Sequence, residues 1–185
     1  MSSLEDLFSG EEARAEAALA QVTAADVPGL IDHLAEGERD ARQWAAAGLG
    51  RVPAEAALAA LLRAPADPDQ AVRAAVLHSL GEQRAPAALT PLLFALADPS
   101  PFLARIAGDA LIKLGPAAVP ALCRALEQEA EPRVRVALTR AIAHLADPRA
   151  IPALFRALDD DSALVQHWAD EGLERLGVGQ VYFQP

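Results

Sequence analysis

Asp67-Pro68-Asp69-Gln70-Ala71-Val72-Arg73 opens a stretch whose pattern returns along most of the chain. Steps of 31 residues through Arg73 land on Arg42, Ala104, Arg135 and Gln166. Six residues before each of these five positions stands an acid: Glu36, Asp67, Asp98, Glu129 and Asp160. Seven residues after each stands a large aliphatic: Leu49, Leu80, Leu111, Ile142 and Leu173. A register kept over five periods is an internal repeat, and repeats of this length are stacked supersecondary units rather than one globular core.

Each period reads as a helix pair. The first helix carries apolar residues at i, i+3, i+4 and i+7, as in Val27, Leu30, Ile31 and Leu34, or Ile151, Leu154, Phe155 and Leu158. That spacing puts four side chains on one helical stripe. Repeat 2 keeps Leu58, Leu61 and Leu62, with Pro65 ending the helix. An acidic, proline-containing turn follows, and Glu38, Asp69, Ser100, Glu131 and Ser162 stand where the second helix begins. Three of these are good N-caps, and Pro101 and Pro132 fall at the first helical position, where proline is tolerated. Gly50, Gly81, Gly115 and Gly177 are expected to ease the exit from the second helix. Repeat 4 starts one residue early at Val119, and its longer turn (Glu127 to Pro132) restores the register at Arg135. Length changes confined to loops suit a stacked array.

The expected organisation is an N-terminal cap or half-repeat over residues 1–22, five repeats over 23–177 and a tail over 178–185, together one structural domain. Leu4, Leu7 and Phe8 supply a short capping helix before a second-helix-like segment at 11–22. Tyr182 and Phe183 are expected to fold back over the last unit or to insert into a partner.

Composition agrees with an all-α chain. It is 52% hydrophobic but only 4% aromatic, and the apolar residues are mostly Ala and Leu, both strong helix formers. Net charge is −10, with 16 basic and 26 acidic residues, a balance that repels phosphate backbones and argues against a nucleic-acid partner. The single Cys123 forms no internal disulfide and reads as a buried structural thiol of a reducing compartment. The N-terminal residues lack the pattern of a signal peptide, and no apolar run approaches the roughly 20 residues that span a bilayer. These observations lead to the expectation of a cytoplasmic protein with no membrane partner.

Asp147-Pro-Arg-Ala-Ile-Pro-Ala-Leu154, the Val-Arg turns and Leu114-Gly-Pro-Ala-Ala-Val-Pro-Ala-Leu122 resemble bacterial HEAT-like repeats of the short type also seen in phycobilin lyases. The resemblance spans residues 11–177. It implies a right-handed α-solenoid, with first helices on the convex side and second helices lining the concave side. It also implies a ladder between the turn acids and the Val-Arg arginines. Ala104 and Gln166 depart from that pattern, with Arg105 a candidate substitute in repeat 3.

Catalytic chemistry finds little support. His33, His78, His144 and His167 show no metal-gathering spacing, and the His-Glu pairs of iron-containing HEAT-like hydroxylases are absent. Asp159-Asp160-Asp161-Ser162 lacks the spacing of a calcium loop. There is no phosphate loop or nucleophile elbow, and Cys123 lies in a first-helix stripe. No catalytic residue, metal or cofactor is expected.

The surface of the second helices remains. With positions −1, +3, +7 and +10 from the register facing the core, +1, +5 and +8 point the other way. The +5 row reads Ala47, His78, Asp109, Arg140 and Glu171; the +1 row reads Gln43, Ala74, Arg105, Val136 and His167. Arg105, Asp109, Arg140, His167 and Glu171 are therefore either ordinary inter-repeat ion pairs or a polar docking strip, and both can hold at once. Trp44 and Trp168 share the +2 position and serve either as caps or as interface anchors. The expected function is a non-catalytic, monomeric scaffold that binds a protein or peptide segment on the concave face. A chromophore lyase or lyase chaperone is the alternative, and a DNA-repair glycosylase a third reading that the acidic charge opposes.

Overall fold

A computed structural model describes residues 3–178. Tyr182 and Phe183 and the tail that carries them lie outside the described residues. The fold is an all-α solenoid of helix pairs, with no strand among the described residues. Helices α1 (Ser3–Leu7) and α2 (Glu12–Leu19) precede the first repeat. The repeats are α3 (Val27–Glu36) with α4 (Arg39–Arg51), α5 (Glu55–Arg63) with α6 (Gln70–Gln83), and α7 (Leu89–Ala95) with α8 (Pro101–Lys113). They continue as α9 (Val119–Gln128) with α10 (Pro132–Leu145) and α11 (Ile151–Ala157) with α12 (Ala163–Arg175). The first helices α3, α7, α9 and α11 each start from a 3-10 turn, three of which begin with proline: Pro86–Ala88, Pro116–Ala118 and Pro148–Ala150. Proline fixes φ and needs no hydrogen bond at this position. No single helix among the described residues is long and apolar enough to cross a membrane.

The chain divides into two compact units between Leu92 and Leu93, inside α7. In the first unit, α1 and α2 close one end of repeat 1. Leu7 is fully buried, and Leu4 reaches to within 2.7 Å of where a Cβ on Gly29 of α3 would stand. The Phe8 ring stacks on His33 at 3.8 Å between centroids. In the second unit, α10 packs against α8 and α12.

The register orders the core as the spacing requires. The +7 row (Leu49, Leu80, Leu111, Ile142 and Leu173) is buried throughout, as is the +3 row of Ala45, Val76, Ala107, Leu138 and Ala169. Two expected rows differ. Position +10 is buried apolar only at Val52; its counterpart Gln83 donates from Nε2 to the carbonyls of Leu49 (2.6 Å) and Val52 (2.7 Å). Position +8 is buried at Gly50, Gly81 and Ala143, and at Gly50 and Ala143 it faces the next second helix. A Cβ on Gly50 would stand 2.6 Å from Ser79 Cβ, and one on Gly172 would stand 3.1 Å from Ala143 Cα. Gly50 and Gly81 therefore do not end their helices, and Gly50 allows close packing. The left-handed exits fall at Gly115 (φ 78°) and Gly177 (φ 73°) as expected, and otherwise at Arg84 and Ala146.

All five expected residues are the N-caps of α4, α6, α8, α10 and α12, but only Asp69 caps through its side chain, accepting from the amides of Ala71 (2.8 Å) and Val72 (3.3 Å). The acid two residues earlier braces the turn. Asp67, Asp98, Glu129 and Asp160 each accept from the backbone N–H two residues on, all at 2.8 Å.

The register arginine joins that acid from the repeat before. Arg42 forms a two-bond pair with Asp67 (2.8 and 3.0 Å), and Arg135 forms the same pair with Asp160. Each also donates to a carbonyl of its own turn, Gly37 and Ala130. Gln166 keeps only this second bond, to Asp160 O at 2.6 Å. Ala104 offers neither, and Arg105 does not substitute, because it turns to Asp109. Arg133 instead ties the turns of repeats 3 and 4 by donating to the carbonyls of Ala97 (3.1 Å) and Asp98 (3.3 Å).

The arginine bonds hold Asp67 and Asp160 below the ordinary carboxylate range, and Arg149 holds Asp147 at about 2. Lowered folded-state values mean that the unfolded chain binds protons first as pH falls. Stability is thus fully present above the unfolded value of about 4 and is lost as pH drops through the folded values towards about 2. Thermal melts from pH 7 to 2 are expected to show little carboxylate-linked change above about pH 5 and a steep decline below about 4. A melting temperature level down to pH 2 would contradict the ladder.

Candidate functional site

The expected strip lies wholly in the second unit, on α8, α10 and α12. Its residues continue a stripe at −2, +1, +5 and +9, which is the i, i+3, i+7, i+11 face of a helix. On α8 these are Phe102, Arg105, Asp109 and Lys113. On α10 they are Arg133, Val136, Arg140 and His144, and on α12 Leu164, His167, Glu171 and Arg175. None is fully buried, and Phe102 (46%) and Leu164 (59%) are two of the large apolar residues left exposed. The −2 and +9 rows were missed in the reading of the sequence, although extending the same helical spacing reaches them.

Asp109 is the hub. It accepts from Arg140 Nη2 at 2.6 Å across the helices and from Arg105 Nη1 at 3.1 Å along its own. Arg140 is set deep because α8 has Gly108 there: a Cβ would stand 3.2 Å from Arg140 Nη2. Glu171 does not extend this alternation, since it pairs with Arg175 four residues on, at 2.9 Å. Arg175 also donates from Nη1 to His144 Nδ1 at 3.0 Å. A guanidinium only donates, so Nδ1 accepts here and the imidazole is neutral with its proton on Nε2. Burial, then the nearby Arg175 and Arg140, push the His144 pKa down against the opposing pull of Asp109 and Glu171.

Trp168 stands between the two histidines, its ring 5.6 Å from His144 on α10 and 5.3 Å from His167 on α12. It therefore reaches back to the preceding repeat. Trp44 is half-buried in the first unit and borders a cleft of about 690 Å³ between the N-terminal helices and repeat 1, with Phe8, Glu12, His33 and Glu38 also lining it.

Among the described residues, no group of three or more His, Cys, Asp or Glu is placed to hold a metal ion. Cys123 is half-buried rather than buried, and the charges of Glu127 and Arg156 act on it. Burial raises its thiol pKa, with Glu127 adding to the effect. A raised pKa disfavours the thiolate needed for nucleophilic chemistry.

Stacked helix pairs, turns braced in four of the five periods and a charged face on the second helices α8, α10 and α12 define a helical-repeat protein. A HEAT-repeat profile matches residues 27–112 and again 90–174, and the chain belongs to the HEAT-repeat family. No curated protein is similar to it at a significant level. Among solved structures, the Escherichia coli protein YibA is similar at 17% identity and TM-score 0.63, over 97% of this chain and 71% of that one. The complex of CpcE and CpcF of phycocyanin lyase from Nostoc sp. is similar at 22% identity and TM-score 0.55, over 92% and 74%. A designed armadillo repeat protein in complex with the peptide (KR)4 is similar at 18% identity and TM-score 0.51, over 94% and 97%. Identities this low establish a shared fold and nothing finer.

Proposed function

We propose that the chain is a non-catalytic scaffold that binds a protein segment along the second helices of the unit beginning at Leu93, the side that the family resemblance makes concave. The observation that carries this reading is the contrast between rows. The buried +3 and +7 rows are apolar in every repeat, whereas the accessible +5 row changes residue in every repeat. Structural roles require likeness from repeat to repeat, while a surface that recognises one partner requires difference. Charged side chains fixed on rigid helices give specificity and steering, and Trp168 with the exposed Phe102 and Leu164 supplies anchors. The reading carries with it a monomeric protein of the cytoplasm. The phycocyanin-lyase likeness is one of fold, and a stripe this charged offers a tetrapyrrole no apolar groove.

Affinity enrichment from native cell extract should recover a protein with the wild type and lose it with Arg105→Glu/Arg140→Glu. Melting curves would confirm that the double variant is folded. A partner captured equally by both would sink the docking face.

A further inference from the structure

The sign of the stripe is opposite to that of the chain. Five of its positions are permanent cations, Arg105, Lys113, Arg133, Arg140 and Arg175, against two carboxylates, Asp109 and Glu171. Counting the N-cap Glu131, 3.7 Å from Arg133, still leaves five against three. Both stripe carboxylates are already occupied, Asp109 by two arginines and Glu171 by Arg175. This excess stands in a protein of net charge −10. The matching stripe of the first unit shows no such excess: α4 carries Asp40 and Arg51, and α6 carries His78 with Glu82 3.6 Å from it.

We infer that the occupant of this face is an acidic peptide segment with apolar residues about six positions apart. The inference rests on the docking reading above and adds the chemistry of the partner. Excess arginine on a face whose own acids are engaged leaves cationic capacity for carboxylates from outside. Arg105 and Arg133 keep half or more of their side-chain surface exposed. The apolar anchors set the spacing. Phe102 and Leu164 occupy the same register position two repeats apart, on α8 and α12. Packed helices lie about 10 Å apart, so the anchors are separated by about 20 Å. An extended strand advances about 3.3 Å per residue and covers that span in about six residues. Acidic residues between the two apolar ones would then lie over Arg133, with Arg105 and Arg140 on the flank. A nucleic acid fits less well, because its evenly spaced phosphates make no use of Phe102 and Leu164 and meet the repulsion of the whole chain.

The test is fluorescence anisotropy with three labelled peptides of about twelve residues, each carrying two Phe six apart. One has Glu at the intervening positions, one has Gln and one has Lys. The Glu peptide should bind at least about tenfold more tightly than the Gln peptide and weaken at least about tenfold in about 0.5 M salt. The Lys peptide should not bind. Arg105→Gln/Arg133→Gln, two positions outside the core, should lose about tenfold for the Glu peptide, and Phe102→Ser/Leu164→Ser should weaken the Glu and Gln peptides alike. Equal affinity for the Glu and Gln peptides overturns the acidic assignment while leaving the docking face in place, as does tighter binding of a single-stranded oligonucleotide of equal length. Failure of every peptide to bind overturns the inference. The docking reading itself falls only if the partner captured from extract ignores the charge reversal at Arg105 and Arg140.

Discussion

Gly50→Val is expected to cost at least about 3 kcal/mol, enough to lower the melting temperature by roughly 6–12 °C. The glycine lies inside α4, so a side chain there gains a few tenths of a kcal/mol in helix propensity at most for valine, and about 1 kcal/mol for alanine. Against that gain stands Ser79, whose Cβ would be 2.6 Å and Cα 2.9 Å from the new Cβ. The obstacle is backbone and cannot rotate away, so α4 must move off α6 and forfeit packing around Leu49 and Leu80. Gly50→Ala should fall between the two, since the same clash is partly offset by propensity. Adding Ser79→Gly to Gly50→Ala should recover stability by removing the opposing Cβ. Urea titration of the four proteins checks this, and a Gly50→Val protein as stable as wild type would show that α4 and α6 are not in contact here.

Leu111→Ala should cost about 3–5 kcal/mol. Leu111 is completely buried at the +7 position of α8. Its truncation loses the transfer free energy of the removed carbons and leaves a void that the surrounding structure can close only by shifting. Leu164→Ala provides the control: the same chemical change at a side chain 59% exposed should stay within about 0.5 kcal/mol. A loss of similar size at both positions would mean that the rows are wrongly assigned.

The helix pairs, the core rows and the turns were legible in the sequence because they repeat. A constraint imposed five times leaves a periodic trace at Asp67 and Asp160, or at Leu80 and Leu111, that chance does not imitate. The +8 row was misread as surface for a physical reason. A position that must let two helices approach selects for smallness, and Gly50 and Ala143 look the same in sequence whether they serve packing, helix exit or solvent. The pairing of the strip was half legible. Asp109 with Arg140 follows from the shared +5 row, but Glu171 had two arginines within reach, and the one four residues along its own helix prevailed. The basic sign of the stripe stayed hidden because net charge averages over the molecule, whereas a binding face is a selection from it.

The missing rung at Ala104 has a kinetic meaning. In a linear array each repeat is held by its neighbours alone, so native fluctuations open wherever a neighbour term is weak. At their turns, repeats 1 and 2, and repeats 4 and 5, are joined by two-bond arginine–carboxylate rungs, whereas the turns of repeats 3 and 4 are joined through the exposed Arg133 on two carbonyls. Amide exchange should therefore divide α10 and α12 from α8, with α10 and α12 opening together as one cooperative block. A single protection level shared by all three helices would show that the rung is dispensable. The boundary of that block crosses the stripe between Asp109 and Arg140, so a segment lying across it would bind two exchange blocks and slow the opening of both.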